Sequence, residues 1–384
     1  MMTTGGIHSN STYQPITIQV PGKLFIAGEF AVLEPEASAI VAAVNRYVYA
    51  EIAFSDDNHL QLPNIGFEDI RWDVIEGKLH LYEQSPKLSF LQNTLQICNQ
   101  YIVEAGIKLK PFTLRINSEL DDASGRKYGL GSSAAVVVAA VTAILRLYKE
   151  EGISSSPEII YKLASIVHFK TQGNGSCADV AASTYGGYLH YSAFDGEWIK
   201  DRLTEDINLH AFIVEQWPGL HIKKIVPPTE LLLCVGWTGN EMSTYKMIEK
   251  IKRLKLVQPA AYADFLEQSI MAVHDMVDQF EKSDERGAIQ SFARNRKALS
   301  KLGRDAEAEI ETPKLQELIH IANKYGAGKT SGAGGGDCGI AFVIGELNAS
   351  QLKEEWASSN IEPLNLAVSK EGAMEIRKAD ETSD

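Results

Sequence analysis

A chain of 384 residues, 45% hydrophobic and 23% charged, has ordinary globular usage, which excludes wholesale disorder and makes two packed domains the expectation. Its 37 Lys and Arg stand against 50 Asp and Glu, a formal net charge of −13. That sign excludes nucleic-acid or membrane-surface binding driven by bulk charge, so an anionic ligand here needs a local cluster of donors.

In chain order, residues 1–11 are a polar loose end, and residues 15–27 (PITIQVPGKLFIA) read as two short strands about Pro21-Gly22. A strand is expected over 44–54, a hairpin with loops over 66–81, a helix over 89–104 and a strand over 111–116. A polar loop, 117–128, then leads into Gly129-Leu130-Gly131-Ser132-Ser133-Ala134 and a buried helix over 133–149. A serine-capped helix over 157–171 and strands over 186–191, 220–226 and 231–236 follow. Pro227-Pro228 is the boundary candidate, giving domains 1–226 and 227–384. The second half carries helices over 243–254, 260–282, 285–303 and 313–325, a glycine-rich loop over 326–339, a strand over 340–344 and a solvated acidic tail, 379–384. Strands and helices interleave, so the class is α/β or α+β.

Cys98, Cys177, Cys234 and Cys338 are never spaced as Cys-x-x-Cys and read as small buried hydrophobes. The start lacks the charged-then-apolar pattern of a secretory signal, and the longest apolar run, 134–145, is far short of the roughly 20 residues a spanning helix needs. A reduced, cytoplasmic protein is expected.

The sharpest motif is Gly129 to Ala134. Its glycines let backbone N–H groups approach an anion, and the helix that follows offers unpaired donors and a favourable dipole. Ser132 and Ser133 could cap that helix, hold a phosphate oxygen or ligate Mg²⁺; an ordinary capped helix is the plain alternative. Asn323 to Thr330 (NKYGAGKT) nearly spells a phosphate loop, but it follows a helix where that motif requires a strand. Gly334, Gly336 and Gly339 match a dinucleotide fingerprint, yet a strand follows where a helix is needed. Ser331 to Gly339 (SGAGGGDCG) instead reads as backbone able to wrap a ligand, with Lys329, Thr330 and Ser331 as donors ahead of it. Asp179, among small residues, reads either as an N-cap or as a carboxylate that orients an attacking group.

Pro21 to Leu33 (PGKLFIAGEFAVL), Lys127 to Ala135 (KYGLGSSAA) and Lys329 to Gly339 (KTSGAGGGDCG) resemble, in order and spacing, the three motifs of the galactokinase, homoserine kinase, mevalonate kinase and phosphomevalonate kinase (GHMP) superfamily. Phe30, where mevalonate kinases usually carry His, together with residues 236–244 and Asn295-Arg296 ahead of Thr312-Pro313, points to the branch whose acceptor is a phosphate. The resemblance implies an α+β fold: a ribosomal-protein-S5-like ATP-binding domain, a ferredoxin-like domain and a cleft between them. It implies ATP-dependent phosphorylation of (R)-5-phosphomevalonate to 5-diphosphomevalonate in isoprenoid biosynthesis, mevalonate kinase being the alternative. Carried over by position, Lys23 and Asp179 are catalytic, and Gly129, Leu130, Gly131, Ser132, Ser133 and Ala134 bind ATP. Lys329, Ser331, Gly332, Ala333, Gly334 and Arg296 bind the acceptor, with Arg294 and Lys246 as further candidates. ATP and Mg²⁺ are the implied cofactors. At the position eleven residues before Asp179, where mevalonate kinases carry a Mg²⁺-ligating Glu, stands His168, a poor ligand for that ion, so the metal is expected to lean on Ser132 and the ATP phosphates.

Overall fold

The computed structural model describes residues 14–121, 126, 128–173, 175–204, 207–239 and 245–377. Lys127, residues 240–244 of the 236–244 segment and both termini lie outside that set, as does the side chain of Lys246. The first part of the chain runs β1 (Ile16–Ala27), β2 (Ala39–Phe54), β3 (His59–Leu62), β4 (Phe67–Ile75), β5 (Lys78–Leu81), α1 (Ser89–Glu104), β6 (Phe112–Ser118), α2 (Ser132–Leu147), α3 (Pro157–Gln172), α4 (Ala178–Tyr185), β7 (Tyr188–Ser192), α5 (Gly196–Thr204), α6 (Leu209–Val214) and β8 (His221–Ile225). After Pro227-Pro228 come β9 (Leu231–Trp237), α7 (Tyr245–Val257), α8 (Pro259–Glu281), α9 (Glu285–Asp305), α10 (Pro313–Ala322), β10 (Gly326–Thr330), β11 (Cys338–Ile344), α11 (Glu346–Ser358), β12 (Glu362–Leu364) and β13 (Met374–Ile376).

The larger sheet has the order β13-β1-β2-β6-β3-β4-β5, with β7 and β8 extending from β2. Helix α2 is apolar almost all round and packs on β1 and β2 while touching α1, α3 and α4, the environment such a helix requires. The smaller sheet has the order β10-β11-β9-β12, all antiparallel, in a β-α-β-β-α-β succession of the ferredoxin-like kind. Period-two alternation gives β9 two apolar faces: Leu231, Val235 and Trp237 join the core of the larger sheet, whereas Cys234 faces α10 and α11. Helices α8 and α9 fill the space between the sheets; Phe280 lies 6.2 Å from Tyr188 of β7 and 6.3 Å from Phe342 of β11.

Three expectations change. The segment about Pro21-Gly22 is one continuous strand, not two: a register shift between those residues absorbs the proline without ending the pairing with β2. The first residues of the glycine-rich loop form β10, because Gly326 and Gly328 are spacers for close packing, not turn residues. A Cβ on Gly328 would sit 2.7 Å from Ala322 of α10. Finally, the chain returns after β12, and β13 pairs with β1, so the tail of the 227–384 segment belongs to the larger sheet. The four cysteines are free and buried, and no helix among the described residues is long and apolar enough to cross a membrane.

A Cβ on Gly326 would lie 2.1 Å from the backbone oxygen of Phe342, which cannot rotate away. Gly326→Ala is therefore expected to lower stability by about 1–3 kcal/mol, read as a lower urea midpoint at unchanged m-value.

Candidate active site

The outer edge of β1 gathers the three motifs. Beyond its pairing with β13, the Lys23 N–H donates to Leu130 O (2.8 Å) and the Phe25 N–H to Ser331 Oγ (3.0 Å), while the Ser331 hydroxyl returns to Phe25 O (3.0 Å). The thiol of Cys338, at the far end of the glycine loop, donates to Tyr128 O at 3.0 Å. Residues distant in sequence are thus joined through backbone groups that would otherwise be an unpaired strand edge.

Gly129 and Gly131 have φ of 77° and 80°, a left-handed conformation that strains any side chain. A Cβ on Gly131 would lie 2.8 Å from Cγ of Lys23, so the lysine stem runs along the loop, and its Nζ donates to Gly129 O at 3.1 Å. Helix α2 is capped by Gly131 without a side-chain hydrogen bond, and its first intrahelical bond is donated by Ala135. The N–H groups of residues 131–134 therefore have no intrahelical acceptor, and Ser132 and Ser133 stand partly exposed beside them. Lys23 forms no ion pair among the described residues, and its ammonium is hydrogen-bonded to this loop.

Asp179 is not an N-cap. Cys177 takes that position with φ 53°, and Asp179 is the second residue of α4, half-buried, its Oδ1 accepting from the Val180 N–H at 3.0 Å. One turn further along the same face, Ser183 donates to Pro21 O at 2.9 Å, which fixes α4 against β1 two residues from Lys23. The loop before α4 is tied down by Tyr191, whose hydroxyl donates to Ser176 O and meets the Tyr161 hydroxyl at 2.8 Å.

On the acceptor side the donors expected from sequence are largely committed elsewhere. Lys329 is a correction: its ammonium is fully buried, donates to Glu29 and, at 2.8 Å, to Thr330 O, and lies 5.7 Å from the Phe292 ring. Burial pushes it below the ordinary lysine value against the upward pull of Glu29 and Glu311. It is an internal partner, not a group open to a phosphate. Arg296 forms a two-pronged pair with Glu311 (3.0 and 2.9 Å), which braces the chain behind the glycine loop. There Gly335 N–H donates to Ile310 O at 2.9 Å, and a Cβ on Gly334 would lie 2.3 Å from the same oxygen. Arg294 pairs with Asp275 on the α8–α9 surface, as a solvated helix face would. Gly332, which has nothing within 4 Å of a built Cβ, and partly exposed Ala333 form the open part of the loop. His168 packs inside α3 against Phe90, ring centroids 4.8 Å apart.

Glu29 was legible as a lone carboxylate in an apolar run, a pattern that demands a buried partner, but the partner comes from residue 329. Its neighbour Phe30 sits at φ 61°, ψ −44° in a γ-turn closed by Ala31 N–H to Glu29 O at 2.7 Å, a conformation that costs about 1–3 kcal/mol. Phe30 packs on the apolar cluster of α7, α8 and α9, which holds the turn in place. The cavity of about 500 Å³ near β3 and β4 is lined by Asp57, Asp69, Asp73 and Glu83 against one cation, Arg71, a net negative lining that disfavours a polyanion.

Fold and loops define a two-domain small-molecule kinase. The pattern of the GHMP kinases N terminal domain matches residues 91–187, and that of the GHMP kinases C terminal matches residues 276–362. The chain is 31% identical to a phosphomevalonate kinase of Streptomyces sp. (strain CL190), covering 97% of this chain and 100% of that protein. Among solved structures it resembles Streptococcus pneumoniae phosphomevalonate kinase in complex with phosphomevalonate and AMPPNP, with TM-score 0.81, 31% identity and 92% and 99% of the two chains covered. A Lin0012 protein from Listeria innocua gives TM-score 0.88 at 37% identity, covering 94% of this chain and 99% of that one. The chain belongs to the phosphomevalonate kinase family of the GHMP kinases.

Lys329→Met leaves the Glu29 carboxylate buried without its partner and is expected to cost about 3–5 kcal/mol. The double variant Glu29→Gln/Lys329→Met removes both charges and should recover most of that loss in urea unfolding, which tests the pair directly.

Proposed function

We propose that this site transfers the γ-phosphoryl group of ATP to the phosphate of (R)-5-phosphomevalonate, yielding 5-diphosphomevalonate and ADP. The observation that carries it is the N-terminus of α2, where no side chain caps the helix and four N–H groups lack an intrahelical acceptor, beside Lys23, a cation with no carboxylate partner among the described residues. The likeness to a phosphomevalonate kinase solved with phosphomevalonate and AMPPNP supports the choice of substrates.

The acceptor has a second pKa of about 6 and is largely ionised at neutral pH, so it attacks without first losing a proton to the enzyme. The obstacle is repulsion: at 4 Å and an effective dielectric of 20, each pair of unit charges costs about 4 kcal/mol. Lys23 and the N–H groups of residues 131–134 offset that charge where it develops during transfer. Because Lys23 donates to Gly129 O, its ammonium is held at the loop before any ligand arrives. Asp179 orients the groups around Lys23 and is not needed as a base. Gly332 and Ala333 give the acceptor close access to backbone, in a region where Lys329 and Arg296 act only as internal braces.

No group of three or more His, Cys, Asp or Glu able to hold a metal exists among the described residues. Mg²⁺ commonly uses one or two carboxylates with substrate phosphates and water; the Ser132 hydroxyl, not spent on capping, and Asp179 are the oxygen donors that would hold it, and when bound it neutralises phosphoryl oxygens.

Lys23→Ala is expected to lower kcat by about 10²-fold or more with folding intact; a small effect would remove Lys23 from the chemistry. Asp179→Asn should retain measurable turnover, whereas complete loss would make Asp179 an obligate base. Both are read by coupled ADP release with phosphomevalonate as acceptor; turnover with mevalonate alone would instead assign the mevalonate kinase reaction.

A further inference from the structure

Beside the entry to the phosphate loop four side chains form a stack, two aromatic rings meeting edge-on between two guanidinium groups. The Arg46 guanidinium carbon lies 4.5 Å from the centroid of the Tyr128 ring. Tyr128 meets Trp237 edge-on, with centroids 5.0 Å apart and planes at 63°, and Arg126 lies 4.8 Å from the Trp237 ring. Tyr128 and Trp237 are 8% and 5% exposed, Arg46 is half-buried and Arg126 is exposed, so the Arg46–Tyr128 contact is the better shielded of the two. Arg46, Tyr128 and Arg126 belong to the larger-sheet domain, whereas Trp237 ends β9 of the smaller one. The stack therefore crosses the domain seam at the residue immediately before Gly129.

Two further contacts grip the same point. Cys338 donates to Tyr128 O at 3.0 Å. Asp337 fills the space a Gly129 side chain would need, 2.7 Å from a built Cβ, and its carbonyl accepts from the N–H (2.9 Å) and hydroxyl (3.0 Å) of Thr238. Arg46 reaches Tyr128 because the β1–β2 register passes from Pro21↔Tyr47 to Gly22↔Val44, leaving Asn45 and Arg46 as the bulge, a feature that re-aims side chains. Asn45 turns away to Ala367, accepting its N–H at 2.7 Å. Arg46 has no ion pair among the described residues, and its guanidinium lies over the Tyr128 face.

We infer that Arg46, acting through Tyr128 and Trp237, is a positioning residue that fixes the phosphate loop against the smaller domain and so sets nucleotide affinity. The inference rests on Gly129–Ala134 being the nucleotide phosphate loop. A half-buried cation over a buried aromatic face contributes on the order of tenfold to an equilibrium constant. If the stack holds residue 128, that factor appears in the alignment of the N–H groups that follow it, and acceptor binding at the glycine loop is spared.

The test is the Kd of a fluorescent ATP analogue with no acceptor present, compared with the KM for phosphomevalonate and the melting temperature. Arg46→Met keeps the aliphatic stem and is expected to weaken nucleotide binding about tenfold, with acceptor KM and melting temperature nearly unchanged. Arg46→Lys should restore part of the loss, and Tyr128→Phe, which keeps the ring, should bind as wild type. Tyr128→Leu should weaken binding as Arg46→Met does, and the two together should add little. Unchanged affinity in Arg46→Met overturns the inference. So does normal affinity in Tyr128→Leu, which would mean that Arg46 touches the phosphates directly, and so does an equal loss for both ligands with a large fall in melting temperature. Should Arg46→Met not fold, Arg46→Gln, which removes the charge at the same half-buried position, carries the same expectation and the same refutation. Failure of wild type itself to bind the analogue would refute the phosphate-loop reading, whereas equal binding by wild type and variant refutes only the role of Arg46.

Discussion

The free edge of β1 beyond Pro21 is the constraint on which the site depends. A buried strand edge must satisfy its N–H groups, and here the Lys23 and Phe25 amides find Leu130 O and Ser331 Oγ instead of a further strand. One short stretch of backbone thereby sets both the Gly129–Ala134 loop and the glycine loop, and it carries Lys23. The two loops are placed by the main-chain groups of β1 together with the Ser331 hydroxyl, and Lys23 is the group we propose turns the site toward phosphate.

Charge is allotted sparingly in this acidic chain. Of the basic groups near the cleft, Lys329 and Arg296 are neutralised by Glu29 and Glu311, so they add rigidity but no net attraction for a polyanion. A buried pair of this kind is weak evidence for stability and better evidence for register, since breaking one partner is costly. The positive groups at the Gly129–Ala134 loop are instead the oriented N–H groups and Lys23, with Arg46 beside its entry. Such fixed dipoles need no reorganisation when charge moves, which suits a reaction between two anions.

Glu29 links that chemistry to the fold. It closes the strained turn at Phe30, holds Lys329 across the seam, and lies at the end of the strand whose edge carries both loops. The two sheets also share an apolar core through Trp237, Phe342 and Phe280. Cleft geometry and core packing are therefore one problem, and a change in either is felt at the other.

Much of this was legible in the residues. The helix over 89–104 matches α1, the serine-capped helix after 156 matches α3, and the glycine-serine sequence at 129–134 does open a helix, because each depends on spacing and capping within a few neighbours. What local pattern could not decide is which charges would be spent. Lys329 and Arg296 read as ligand donors because their partners lie far away in the chain or behind a turn, and Arg46 was invisible because a bulge, not a motif, aims it. Gly326 and Gly328 read as loop for the same reason: their lack of a side chain serves a helix and a strand that meet them only after folding. Sequence by itself determined the family, the elements with local periodicity and the residue types needed for phosphate; tertiary structure alone decided which of those groups stay free, since a charge is available to a ligand only if no other part of the chain has neutralised it.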